Sequence, residues 1–135
     1  MFKNYNLKLI ALFAVCFSAN DAQSQTLVHY WNFNTLADGT STAVSPDFSL
    51  IPTNALITYP GTGAGYMDDV DGDVLNAQNG DAAGLGLRPR NPSNTRDLLI
   101  AFSTVGYENP IVKFATTKTN QGASEQIYSY SVDGG

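Results

Sequence analysis

Cysteine and histidine are almost absent from this sequence. The only cysteine is Cys16 and the only histidine is His29. Because Cys16 lies in a predicted export signal, we expect the exported chain to have neither disulfides nor thiolate chemistry. A lone histidine also leaves no partner for a His/Cys metal site or an oriented catalytic base, so we expect His29 to be structural.

Positive charge is scarce as well. Residues 25–135 carry five basic and eleven acidic side chains, a net charge of −6. Nucleic acid backbones and anionic membranes both need a positive protein surface. This balance therefore predicts that neither is a partner.

The N-terminus has the pattern of a secretory signal peptide. Lys3 and Lys8 precede the apolar run LIALFAVCFSA, which is too short to span a bilayer, and Ala22-Gln23-Ser24 offers a small-x-small cleavage site. Val15 before Cys16 disfavours lipidation of that cysteine. We expect a helical signal peptide at 1–24, cleavage near Gln25, no membrane insertion afterwards, and a secreted or cell-surface product.

No sustained helical period follows, and short β-rich runs recur between Gly, Pro, Asn and Asp clusters. This pattern predicts an all-β domain over 25–135, built as an antiparallel two-sheet β-sandwich. The final SYSVDGG is a turn signal that normally leads into another strand, so we expect the domain to be incomplete at its C-terminus. The predicted strands are Leu27–Asn34, Ala55–Tyr59, Leu85–Arg90, Asp97–Ser103, Ile111–Thr117 and Gln126–Val132.

The alternation of side chains with period 2 assigns the two faces of each strand. Long loops are predicted at Asn34–Pro52 and Tyr59–Asp81. Pro89 predicts an edge or a bulge for its strand, because proline cannot donate to a ladder. The predicted core side chains are Leu27, His29, Trp31, Phe33, Leu98, Ile100, Phe102, Val112, Phe114, Tyr128, Tyr130 and Val132.

The stretch Asp68–Asp81 (DDVDGDVLNAQNGD) holds five of the twelve acidic residues. An EF-hand is excluded, because Val74 and Gly80 replace the required glycine and glutamate and no helices flank the stretch. Two hypotheses stay open. The carboxylates are either neutralised by Arg88, Arg90 and Arg96, or they bind a structural Ca²⁺ through Asp69, Asp71, Asp73, Asn76 and Asp81.

Other ligand-binding candidates are the pairs Arg88/Arg90 and Tyr128/Tyr130. Alternate arginines share a strand face and can bind a carboxylate or phosphate, while tyrosines on one face can stack on sugar rings. No acid/base carboxylate pair, nucleophile elbow or phosphate loop stands out, so we expect no catalytic residues and no cofactor besides Ca²⁺.

Five stretches in this order carry a family resemblance: LVHYWNFN, DVDGDVLNAQNGD, GLGLRPRNPS, DLLIAFSTVGYENPIVKFATTKTNQGA and YSYSVDGG. Together they resemble the N-terminal jelly-roll domain of secreted multidomain bacterial surface proteins with a C-terminal sorting domain. The resemblance implies a β-sandwich like that of carbohydrate-binding modules. It also implies that further modules follow, such as Ig-like, lamin-tail-like or hydrolase domains.

Three functions remain open from the sequence. The first is a noncatalytic, secreted or cell-surface module that binds a polysaccharide or cell-surface glycan. The second is the accessory N-terminal domain of an exported hydrolase whose catalytic domain lies beyond residue 135. The third is a structural or protein–protein adhesion module.

Overall fold

The structure is a computed structural model, and it describes residues 25–36, 39–52, 54–72, 79–90, 92–120 and 122–134. The predicted signal peptide at 1–24 and two of the candidate metal ligands, Asp73 and Asn76, lie outside the described residues. Across the described residues the chain is all-β. A 3₁₀ turn at Ser93–Thr95 lies between β-strands of the described residues.

In the described part of the chain, seven short strands form three antiparallel sheets. The strands β1 and β3 pair with each other, β4 lies between β2 and β7, and β5 pairs with β6. A bridge between Ser41 and Met67 joins the segment before β2 to the start of β5. The strands are β1 (His29–Tyr30), β2 (Ala43–Val44), β3 (Phe48–Ser49), β4 (Leu56–Thr58), β5 (Met67–Asp71), β6 (Leu85–Pro89) and β7 (Leu99–Ala101).

The buried core is small and centres on Ile57, Tyr59 and Met67. Met67 is completely buried, and four partly buried side chains pack around the cluster: Trp31, Phe33, Val44 and Leu87. The core therefore joins β4 and the start of β5 to the segment that follows β1. This contact fixes the β5–β6 pair on one side of the domain.

The prediction of the strands was correct in type but incomplete in position. Four predicted strands contain β1, β4, β6 and β7, whereas β2, β3 and β5 lie inside the two segments predicted to be loops. No strand forms at Ile111–Thr117 or Gln126–Val132, although both alternate as a strand should. An extended segment becomes a strand only when a partner satisfies its backbone groups, and alternation does not identify that partner.

The predicted core was wrong over the second half of the chain. Leu98 and Ile100 are about two-fifths exposed, and Tyr130 and Val132 are more than nine-tenths exposed. Met67 lies at the core centre instead, although it precedes two aspartates in a predicted loop. The prediction for Pro89 agrees with the structure, because among the described strands β6 pairs with β5 alone and Pro89 lies at its last position.

A glycine-rich loop, Gly61–Gly65, packs directly against Arg96. Gly61 pairs with Arg96 across an isolated bridge and has a φ of 143°. A Cβ atom at Gly61 would collide with the Thr95 carbonyl oxygen and the Arg96 backbone. Because both obstacles are backbone atoms, only glycine fits this approach.

Candidate functional site

The β5–β6 ladder displays a polar face on the side away from the core. Asp68 lies opposite Arg88 and Met67 lies opposite Pro89, so alternation puts Asp68 and Arg88 on one side and Met67 on the other. The ladder continues by one bond beyond the strands, because Arg90 N donates to Tyr66 O at 2.8 Å. Tyr66, Asp68, Arg88 and Arg90 therefore share one face, which we call the arginine face.

A buried carboxylate organises the arginine face. Arg88 Nε donates to Asp68 Oδ1 at 2.8 Å and Arg88 Nη2 donates to Asp68 Oδ2 at 2.9 Å, the parallel two-point geometry that suits guanidinium and carboxylate. Arg90 Nε lies 3.3 Å from the same Oδ2. Asp68 is 4% exposed. The hydrogen bond from Arg88 holds the pKa of Asp68 below its usual value, against the opposing effect of burial.

Arg90 is the more accessible of the two arginines. Its side chain is 42% exposed, and its guanidinium carbon lies 5.9 Å from the centre of the Tyr66 ring. Two guanidinium groups surround one carboxylate, so the face carries an excess positive charge within an acidic chain. A cation beside an aromatic ring can bind an anionic group and an apolar sugar face together.

Asp69 and Asp71 lie on the opposite side of β5 from Asp68, since they occupy the alternate ladder positions. Asp81 accepts a hydrogen bond from Asn32 Nδ2 at 3.1 Å. Within the described part of the chain, no group of three or more His, Cys, Asp or Glu side chains lies close enough to hold a metal ion. The calcium hypothesis remains a prediction, because Asp73 and Asn76 are not among these residues.

Among the described acids of the stretch, the hypothesis that arginines neutralise the charge holds for Asp68. Arg88 and Arg90 pair with Asp68, and over the described residues no ion pair reaches Asp69, Asp71 or Asp81. The same stretch is also less of a loop than predicted, because its first four residues belong to β5.

Arg96, the third candidate counter-charge, forms no ion pair with the described residues of the acidic stretch. Its Nη1 donates to Gly63 O at 3.0 Å, its Nη2 donates to Tyr59 O, and its guanidinium carbon lies 4.8 Å from the centre of the Tyr59 ring. Burial raises the pKa of Tyr59, and the positive charge of Arg96 lowers it in part. Arg96 therefore holds the glycine-rich loop against the core.

His29 makes a structural connection, as its isolation in the sequence predicted. Its Nε2 lies 2.8 Å from Ser103 O, which can only accept, so Nε2 carries the proton. In the neutral ring Nδ1 then accepts from Ser49 Oγ at 2.9 Å. Both ring nitrogens are occupied, and the imidazole links β3 to the segment after β7.

Among the described residues, neither Tyr128 nor Tyr130 contacts a residue of the arginine face. Tyr128 is 63% exposed and packs on Phe114 with the ring centres 5.4 Å apart, while Tyr130 is 92% exposed. Their exposure suits ligand stacking, but their segment forms no strand that would hold the rings in place.

The sequence missed Tyr66 and Asp68 as members of one site. No local signal marks them, because Tyr66–Asp71 (YMDDVD) does not alternate strictly between apolar and polar side chains, and each face of β5 mixes both kinds. Among the described residues, no helix is long and apolar enough to span a membrane. Comparisons of the chain with protein-family models, curated proteins and solved structures found no match.

Proposed function

We propose that residues 25–135 form a noncatalytic, secreted or cell-surface β-sandwich module of jelly-roll type that binds glycan through its arginine face. The small antiparallel sheets and the core between β4 and β5 support the sandwich. The apolar N-terminal run with two preceding lysines supports export.

The observation that carries the proposal is the pairing of Tyr66 and Arg90 on a braced ladder. The guanidinium carbon of Arg90 lies 5.9 Å from the centre of the Tyr66 ring, and Asp68 anchors Arg90 at its Nε. Binding groups on a rigid element are held more precisely than groups on a loop. An aromatic ring for the sugar face and a guanidinium for a carboxylate or sulfate suit an acidic glycan.

The environment of Asp68 supports the noncatalytic role that we propose. This carboxylate is the buried acid nearest the proposed ligand, and two arginines hold it in its ionised form with a lowered pKa. A general acid needs a raised pKa in order to donate a proton near neutral pH. Asp68 therefore orients the arginines and does not transfer protons.

A glycan array and a polysaccharide pull-down test the proposal. We expect the exported chain to be retained on polysaccharides that carry carboxylate or sulfate groups, and retention to fall with salt because an exposed arginine is screened. The proposal fails if the folded protein is retained on no polysaccharide.

A structural Ca²⁺ in the acidic stretch is part of the proposal. Asp69, Asp71 and Asp81 have no cationic partner among the described residues, and Asp69 and Asp71 share one face of β5, where a cation would relieve the repulsion between their carboxylates. Its role would be to stabilise the fold.

A protein–protein adhesion module is the second candidate. Large apolar side chains are exposed after β7, with Ile127 at 84% and Val132 at 93%. Residues 98–132 carry two lysines and two glutamates, so this segment is neutral in a chain that is otherwise acidic. A balanced, apolar surface allows two copies to meet without repulsion. Sedimentation over a concentration series tests this candidate, and a monomer at every concentration would exclude the pairing of copies.

A further inference from the structure

A cleft of about 310 Å³ lies beside the turn after β1, apart from the arginine face. One wall is the turn Phe33–Leu36, and the other is the segment Ala43–Asp47 that contains β2. Its size is at the lower end of the ~300–1,000 Å³ range of ligand sites, which suits a small ligand. We call it the Phe33 cleft, and the lining residues that could contact a ligand through a ring or a polar group are Phe33, Thr35, Ser45 and Asp47.

Asp47 fixes the two walls relative to each other. Its Oδ2 accepts hydrogen bonds from Asn32 N at 2.7 Å and Phe33 N at 3.3 Å, and its own backbone N donates to Tyr30 O at 2.9 Å. Trp31 Nε1 donates to Val44 O at 3.3 Å and adds a second connection. The cleft is therefore held by contacts from both sides.

Phe33 has a φ of 61°, in the left-handed region. A bulky residue rarely adopts this conformation, and it persists only where its surroundings fix it. Here Asp47 binds the Phe33 amide, and Leu36 N donates to Phe33 O at 3.0 Å. Such strained residues cluster at ligand sites, so this outlier motivates a binding role for the turn.

The chemistry of the lining points to a neutral sugar ring. Phe33 supplies an aromatic wall, Thr35 and Ser45 are exposed hydroxyls, and Asp47 Oδ1 has no hydrogen-bond partner among the described residues. Among the described residues that line the cleft, Asp47 alone is charged, and its negative charge disfavours an anionic ligand. A hard cation would need several more oxygen ligands than this lining offers.

We propose that the Phe33 cleft is a subsite for one uncharged sugar ring, which contacts Phe33 and hydrogen-bonds to Thr35, Ser45 and Asp47 Oδ1. This inference rests on the proposed glycan-binding function and adds a second site with a different ligand class. The arginine face takes an acidic residue of a glycan, and the cleft takes a neutral one.

Backbone amide NMR locates the site. We expect a neutral polysaccharide fragment retained by the array, titrated into the ¹⁵N-labelled protein, to shift the amides of residues 32–36 and 43–47. If no glycan of any kind is retained, the proposed function and the cleft both fail. If only acidic glycans are retained, or if the shifts map to the arginine face, the glycan function stands and the cleft assignment is overturned.

A matched pair of double variants tests the contacts. Thr35→Ala with Ser45→Ala removes both hydroxyls from the cleft, and we expect about a tenfold loss of affinity for the neutral fragment. Thr117→Ala with Ser124→Ala makes the same chemical change in another cavity, of about 290 Å³, and should leave the affinity unchanged. Equal affinities for the two double variants would overturn the proposal, and a dispersed amide spectrum confirms that each is folded.

Discussion

Arg88 and Asp68 face each other across the β5–β6 ladder and are joined by two parallel hydrogen bonds, at 2.8 and 2.9 Å. The carboxylate is buried, whereas the Arg88 side chain is 38% exposed. The pair is therefore asymmetric. If Asp68 is removed, water can solvate the Arg88 guanidinium, but if Arg88 is removed, water cannot readily solvate the buried Asp68 carboxylate.

This asymmetry predicts unequal costs for the two truncations. Arg88→Ala removes both short hydrogen bonds from a buried carboxylate and leaves the longer contact to Arg90, so we expect it to destabilise the domain by about 3 kcal/mol. Asp68→Asn should cost about 1–2 kcal/mol, since Arg88 can turn to solvent. Urea denaturation measures both values, and Arg90→Ala is the milder control. Equal losses for Arg88→Ala and Arg90→Ala would contradict the geometry.

The Asp68–Arg88 ion pair also predicts how the unfolding free energy changes at acidic pH. The pKa of Asp68 is lower in the folded protein than in the unfolded chain. Its contribution is therefore complete above the ordinary aspartate pKa and is lost as the pH falls through the lowered value. We expect the unfolding free energy of the wild type to fall more steeply below pH 4 than that of Asp68→Asn. Parallel curves for the two proteins from pH 7 to pH 2 would contradict this prediction.

The arginine face shows what the sequence could and could not predict. The alternation of Arg88 and Arg90 correctly placed both on one face, because a strand's period is a local property. Their partner Asp68 was hidden, since the charges of β5 resemble a turn. Gln126–Val132 shows the reverse case, where a good strand pattern formed no strand. Asp68 and Arg88 are 20 residues apart in the sequence. Which strands pair over such a distance depends on the rest of the fold, and the alternation within one strand does not identify its partner.

A Cβ atom added at Gly61 would clash with backbone atoms, and no movement of side chains would relieve that clash. A Cβ there meets the Thr95 carbonyl oxygen and the Arg96 backbone, and we expect Gly61→Ala to cost about 3 kcal/mol. Gly106→Ala is the matched control, because Gly106 also has a positive φ, of 87°, but has open space around it. It should cost about 1 kcal/mol. Thermal unfolding compares the two, and similar midpoints would contradict the close approach of Arg96.

Calcium binding by the acidic stretch predicts a metal-dependent midpoint of unfolding. Ca²⁺ at a hundred times its Kd stabilises a folded protein by about 2.7 kcal/mol, and a chelator removes this gain. Asp71→Asn deletes an exposed candidate ligand, so we expect it to abolish most of the gain. Asp97→Asn, an equal change of charge outside the stretch, should preserve it. Identical midpoints of the wild type in millimolar Ca²⁺ and in chelator would exclude a useful site.

The two candidate glycan sites, the arginine face and the exposed tyrosines, predict opposite effects of substitution on the binding of an acidic glycan. Arg90→Ala removes the accessible guanidinium while Arg88 still holds Asp68, so we expect a folded protein whose affinity falls about tenfold. Tyr66→Ala should weaken binding in the same direction, because the ring beside Arg90 is lost. Tyr130→Ala is the matched control at a side chain 92% exposed, and it should bind as the wild type does. A loss in Tyr130→Ala with full binding by Arg90→Ala would move the site to the exposed tyrosines, and calorimetry with one acidic oligosaccharide measures all three variants.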